Sequence, residues 1–176
     1  MDTIDRVVQQ YQSAYHARPA VVARAPGRVN LLGEHVDYND GWVLTAAIAR
    51  AAYVAASACD SALVSVAAAD LESGSVFRVS EVDGKTDVAG LPLPGWARYP
   101  AGVAWSLRGE GLAVGGLDAV LASDVPVGAG LSSSAAVEVA FAAAWRHTGG
   151  WARSAMALAQ ACQRAENQYV GVNSGL

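Results

Sequence analysis

The chain has 176 residues, 53% of them hydrophobic, with two cysteines and a formal charge of −4. That is enough for one domain with a real core, and the lack of any basic run argues against nucleic acid or an anionic membrane surface as partner. The start, MDTIDRVVQQ, has no apolar signal core, and no apolar stretch reaches the ~20 residues that span a bilayer, so a soluble, cytoplasmic protein is expected.

In chain order, Thr3–Ala17 places Ile4, Val7, Val8, Tyr11, Ala14 and Tyr15 at helical spacing, with Pro19 beyond the end. Ala20–Ala25 and Arg28–Leu32 read as two short strands broken at Pro26-Gly27. Residues 34–41 are polar and end in the turn signal Asn39-Asp-Gly41. Val43–Ala58 is apolar and reads as two extended segments, although its alanines also suit a helix. Ala62–Ala69 and Ser75–Ser80 alternate like a hairpin around Glu72-Ser-Gly74. Glu81–Gly95 reads as a surface loop. Trp96–Leu107 reads as a helix with Pro100 in its first turn, and Gly115–Ser123 as a strand.

Ser132–Thr148 is predicted helical and apolar nearly all round, Glu138 being the only charge before Arg146. A last helix is expected over Trp151–Val170, with Met156, Leu158, Ala159, Cys162, Ala165 and Tyr169 on its inner face. Strands gather in the first half and helices in the second, which predicts an α+β fold. Cys59 and Cys162 lie far apart in apolar contexts and read as separate small buried thiols.

The organising stretch is Val125–Ala136, VPVGAGLSSSAA. Gly128 and Gly130 admit positive φ and leave room beside the backbone. Ser132, Ser133 and Ser134 stand where helix N-caps are favoured. The helix behind them presents unpaired N–H groups and a positive dipole end. On the residues alone two readings stand: a capped helix after a tight turn, or an anion cradle. No lysine follows the glycines and no third glycine completes a dinucleotide fingerprint, so neither common nucleotide motif applies.

A second polar segment holds Arg28, Asn30, Glu34, His35 and Asp37. Carboxylates and an imidazole accept from sugar hydroxyls while a guanidinium donates, but a solvated loop has the same composition. A zinc reading of His35 with Glu34 and Asp37 is weaker, and His16 and His147 give no ligand spacing.

Pro126-Val-Gly-Ala-Gly-Leu-Ser-Ser-Ser-Ala resembles the phosphate-binding motif of the GHMP kinases, and Gly27-Arg-Val-Asn-Leu-Leu-Gly-Glu-His-Val-Asp-Tyr-Asn-Asp-Gly41 resembles the sugar-binding signature of galactokinases. The two come in that family's order and at about its spacing. The resemblance implies an α+β GHMP N-terminal domain over residues 1–176, with a mixed sheet and a left-handed β-α-β unit. It implies ATP-dependent phosphorylation of α-D-galactose at C1, with ATP, Mg²⁺ and galactose as the small-molecule partners.

By the same resemblance, Glu34, His35 and Asp37 are sugar ligands, and Gly175 lies in a further substrate-contacting segment. Arg28 supplies positive charge near the reacting hydroxyl. Val127, Gly128, Ala129, Gly130, Leu131, Ser132, Ser133 and Ser134 wrap the triphosphate. Trp96 and Tyr99 match aromatics flanking the adenine, though either also suits core packing. Ser134, with Ser133 second, and Glu166 are the Mg²⁺ ligands, where Glu166 taken alone reads equally as an exposed helical residue.

The family's proton-accepting aspartate would fall two positions past Leu176, and its C-terminal domain has no counterpart in the sequence. The expectation for the chain by itself is therefore little or no turnover, since a lost general base costs ~10²–10⁴-fold. Two other readings are a galactose/ATP sensor without catalysis and a kinase for a related sugar such as N-acetylgalactosamine. Known sensors lack a Ser-Ala pair in the motif that Ser134-Ala135 keeps here.

Overall fold

The computed structural model describes residues 2–33 and 41–175. Helix α1 (Thr3–Tyr15) leads into strands β1 (Val21–Leu32), β2 (Leu44–Cys59), β3 (Leu63–Ala68) and β4 (Ser73–Arg78). Helix α2 (Arg98–Gly109), strand β5 (Gly116–Ser123) and helices α3 (Ser133–Gly149) and α4 (Ala155–Arg164) follow, and a π-helical turn over Ala165–Val170 continues α4. The five strands form one mixed sheet in the order β1-β2-β5-β3-β4, parallel only between β3 and β5. The expected α+β architecture with a mixed sheet is what forms.

Alternation along the central strand decides which layer each residue serves. Ala51, Tyr53 and Ala55 of β2 meet Val7 and Tyr11 of α1, together with Val120 and Ala122 of β5. Ala52, Val54 and Ala56 point the other way, into a larger core built with α2, α3 and α4 around Phe141, Trp145, Leu107 and Tyr169. With both faces of β2 covered over Ala51–Ala56, alanine lets α1 and α3 approach the sheet there, and this explains a central stretch poor in the usual β-branched residues. Among the described residues no helix is long and apolar enough to cross a membrane, and both cysteines are free thiols.

Four expectations need correction. Pro26-Gly27 does not divide two strands: β1 runs through it with a register shift between Pro26 and Arg28, because Pro on this edge strand of the sheet loses no ladder partner. Val43–Ala58 is one strand of 16 residues rather than two. Glu81–Gly95 is only partly a surface loop, since a 3₁₀ turn over Val79–Gly84 and a bridge between Thr86 and Pro92 bury Val82 and Leu93. The last helix starts at Ala155, four residues late, and Met156 in its first turn is 58% exposed instead of facing inward.

Beyond Ala51, β2 leaves β5 and pairs with β1 alone, Arg28 opposite Ala47 and Leu32 opposite Leu44. This two-stranded arm carries Leu31, Leu32 and Leu44 on its exposed surface. Its foot lies against the turn between β5 and α3.

Candidate functional site

That turn is fixed at both ends and open between them. At its start Asp124 accepts from the Ala51 N–H through Oδ1 at 2.6 Å and donates its own N–H to Ala51 O at 3.1 Å. Val125 is buried as a plug. At its end the Arg28 N–H donates to Leu131 O at 3.1 Å. A Cβ on Gly27 would lie 2.8 Å from that same carbonyl, so only glycine permits the approach. Between these anchors Pro126, Val127, Gly128, Ala129 and Gly130 are exposed, with Gly128 and Gly130 at φ 73° and 69°.

Ser132 is the N-cap residue of α3, but it sits at φ 53°, ψ 45° and its side chain makes no capping hydrogen bond. The expectation of serine caps is corrected here. A capping hydroxyl needs an extended backbone at its own residue, and the coiling of the glycine turn denies it one. Among the described residues no N-cap side chain therefore satisfies the first N–H groups of α3, as an anion site at a helix start requires.

Within the first turn of α3, the Ser134 hydroxyl donates to Glu166 Oε1 at 2.5 Å. Glu166 is 3% exposed, not on the surface. It comes from the π-helical turn, whose wider coil is closed by Gly171 and Val172 N–H donating to Glu166 O. Three further contacts hold that turn. Tyr169 donates to Val82 O at 2.6 Å, Lys85 Nζ donates to Tyr169 O at 2.7 Å, and Gly102 leaves room for the Tyr169 ring. Burial pushes the Tyr169 hydroxyl up to about 12.

Beside the serines lies an apolar cavity of about 270 Å³, lined by Trp96, Tyr99, Leu121, Val127, Ser134 and Val137 among others. Trp96 and Tyr99, 25 or more residues before the glycines, thus reach the same pocket as the loop. Burial, then the charges of Glu166 and Glu138, raise the Tyr99 hydroxyl above its ordinary value.

Arg28 is half-buried at the foot of the arm, tied to the loop through its backbone. Gly175 is buried near Ser174, whose N–H and hydroxyl both donate to Asn167 Oδ1. Glu34, His35 and Asp37 lie outside the described residues. Among the described residues no group of three or more His, Cys, Asp or Glu side chains could hold a metal. A hydroxyl and one carboxylate suit instead a hard cation that takes most of its ligands from phosphate and water.

In the sequence Glu138 is only an odd charge in an apolar helix, and that oddity is the available signal. Its side chain is fully buried, neither carboxylate oxygen has a protein partner among the described residues, and burial, reinforced by the charge of Glu166, pushes it up to about 10. Asp124 was not anticipated, since its role depends on a strand 73 residues away.

Residues 9–58 match the family model described as the galactokinase galactose-binding signature, and residues 98–176 match that of the GHMP kinases N terminal domain. A galactokinase of Streptomyces coelicolor is 43% identical over 171 residues, 97% of this chain and 43% of that protein. One from Roseiflexus sp. is 43% identical over 168 residues, 96% of this chain and 41% of that protein. The crystal structure of Lactococcus lactis galactokinase complexed with galactose superposes with a TM-score of 0.86 at 27% identity, covering 99% of this chain and 44% of that one. The chain thus spans less than half the length of the relatives it matches.

Proposed function

The chain belongs to the galactokinase family of GHMP kinases, whose N-terminal portion it matches, and we propose that it forms the nucleotide-binding and sugar-signature part of an enzyme that transfers the γ-phosphoryl group of ATP to the C1 hydroxyl of α-D-galactose. The observation that carries this reading is the Ser134–Glu166 contact at the uncapped start of α3, beside an apolar pocket of base-binding character.

In this reading the adenine enters the pocket between Trp96 and Tyr99, where flat aromatic faces exclude water. The triphosphate lies on the exposed backbone of Val127, Gly128, Ala129, Gly130 and Leu131 and on the first turn of α3, with Ser132 and Ser133 beside it. Free N–H groups and the helix dipole favour its charge there. Ser134 and Glu166 would hold Mg²⁺, which would supply positive charge to neutralise the charge that develops on the phosphoryl group during transfer.

Arg28, on the strand tied to Leu131, supplies fixed positive charge where the sugar oxygen meets the phosphoryl group. Glu34, His35 and Asp37 accept from galactose hydroxyls, and Gly175 lines the sugar side. A relative crystallised with galactose supports the sugar assignment.

Calorimetric titration with a non-hydrolysable ATP analogue, with and without Mg²⁺, tests the reading on the chain as it is. Mg²⁺ should tighten binding in the wild type. S134A and E166Q should each remove about 10–100-fold of that gain, the effect of losing one charge-assisted contact, with metal-free affinity kept. Equal Mg²⁺ dependence in the wild type and both variants would refute the assignment.

A further inference from the structure

Ser134 and Glu138 stand four residues apart on α3 and so share one helix face. The side chains within electrostatic reach of Glu138 come from three other elements: Tyr99 of α2, Cys162 of α4 and Glu166 of the π-helical turn. The rest of that interior is apolar, with Ala136, Ala140, Phe141, Ala144 and Trp145 of α3 all buried. Leucine or methionine would fill the position without leaving polar atoms unpaired, so packing alone gives no reason for a carboxyl group. Both of its oxygens are buried and lack a protein partner among the described residues, and the nearby element that presents a second buried carboxylate is the one that delivers Glu166 to Ser134.

We propose that Glu138 is a positioning residue for Glu166: its carboxyl group, hydrogen-bonded through one buried solvent molecule, holds the Glu166 side chain turned toward Ser134 and the glycine turn. Glu138 touches neither nucleotide nor sugar and acts only through Glu166. The inference rests on the reading of Ser134 and Glu166 as the Mg²⁺ pair. Supports of this kind around a metal ligand fix its rotamer, and their loss weakens metal binding while leaving the rest of the site intact.

The test compares the wild type with E138M, E138D and E138Q. E138M keeps the volume without oxygens, E138D draws the carboxyl back by one methylene, and E138Q keeps reach and hydrogen bonding. Each is titrated with the non-hydrolysable ATP analogue over a range of Mg²⁺, and its melting is recorded. The Mg²⁺ concentration for half-maximal tightening should rise at least about tenfold in E138M and E138D, and stay within about threefold of the wild type in E138Q. Metal-free nucleotide affinity should stay within about twofold in all three, which a general loss of fold would not allow.

A folded E138M with the wild-type Mg²⁺ requirement overturns the proposal. Should E138M fail to fold, an unchanged requirement in E138D overturns it equally. A wild-type chain whose nucleotide binding ignores Mg²⁺ sinks the Ser134–Glu166 reading and this inference with it. Mg²⁺ dependence in the wild type that all three variants share sinks this inference alone.

Discussion

Helices α3 and α4 both begin after a serine, yet Ser154 caps its helix and Ser132 does not. Ser154 sits at φ −66°, ψ 156°, and its hydroxyl accepts from the Ala157 N–H at 3.2 Å. Ser132 sits in the left-handed region and its side chain makes no capping hydrogen bond. The residue type is the same, so the backbone arriving at it makes the difference. An open four-residue approach leaves Ser154 extended, whereas Gly128, Gly130 and the anchored Leu131 carbonyl coil the chain tightly into Ser132. Satisfying a helix end and leaving it open are thus both available to serine, and the preceding turn chooses.

The interior behind each helix start sharpens the contrast. Beneath α4 lies the thiol of Cys162, raised by burial and then by the charges of Glu138 and Glu166, and neutral at any ordinary pH. Beneath α3 lies Glu138, held neutral up to about 10. Folding therefore takes up a proton at Glu138 between the ordinary carboxyl range and about pH 10. Stability should be highest near pH 5 and fall as pH rises, at a limiting slope of about 1.4 kcal/mol per pH unit. Denaturant titrations from pH 5 to 9 check this, and E138Q should flatten the fall. A wild-type profile that rises across that range would break the contrast.

Smaller effects separate the two serines directly. S154A should cost about 1 kcal/mol in chemical denaturation, the usual value of a lost N-cap, without touching nucleotide affinity. S132A removes no cap and should cost clearly less. S132G should raise stability by about 0.5 kcal/mol, since relief of the left-handed strain slightly exceeds the added chain entropy. Equal losses in S154A and S132A would mean that Ser132 caps its helix in solution.

The fold class and most elements were legible because they rest on local pattern. Helix α1 shows its 3.6-residue period, the β3–β4 hairpin its alternation, and β5 its run into the glycines. The length of β1 and β2 was not legible. Pro26-Gly27 carries a break signal that edge pairing overrides, and the alanines in the middle of β2, Ala51, Ala52, Ala55 and Ala56, suit a strand because helices cover both faces there. At the site, the glycine turn could be read from its residues. That Glu166 turns inward onto Ser134 could not, because a π-helical coil shifts its facing from that of a regular helix. The pairing of Asp124 with Ala51 and of Arg28 with Leu131 is long-range register, which no local window contains.

The missing methyl group at Gly27 settles how separable the parts of this protein are. The sugar-signature arm does not end in a linker; its foot is hydrogen-bonded through the Arg28 N–H to a carbonyl of the glycine turn, so close that a Cβ at Gly27 would clash with it. A designer who lifted residues 20–50 onto another scaffold would bring across a strand shaped to fit an absent neighbour, and one who swapped the turn would misplace Arg28. The smallest transplantable unit therefore includes both segments and the β2–β5 pairing that joins them.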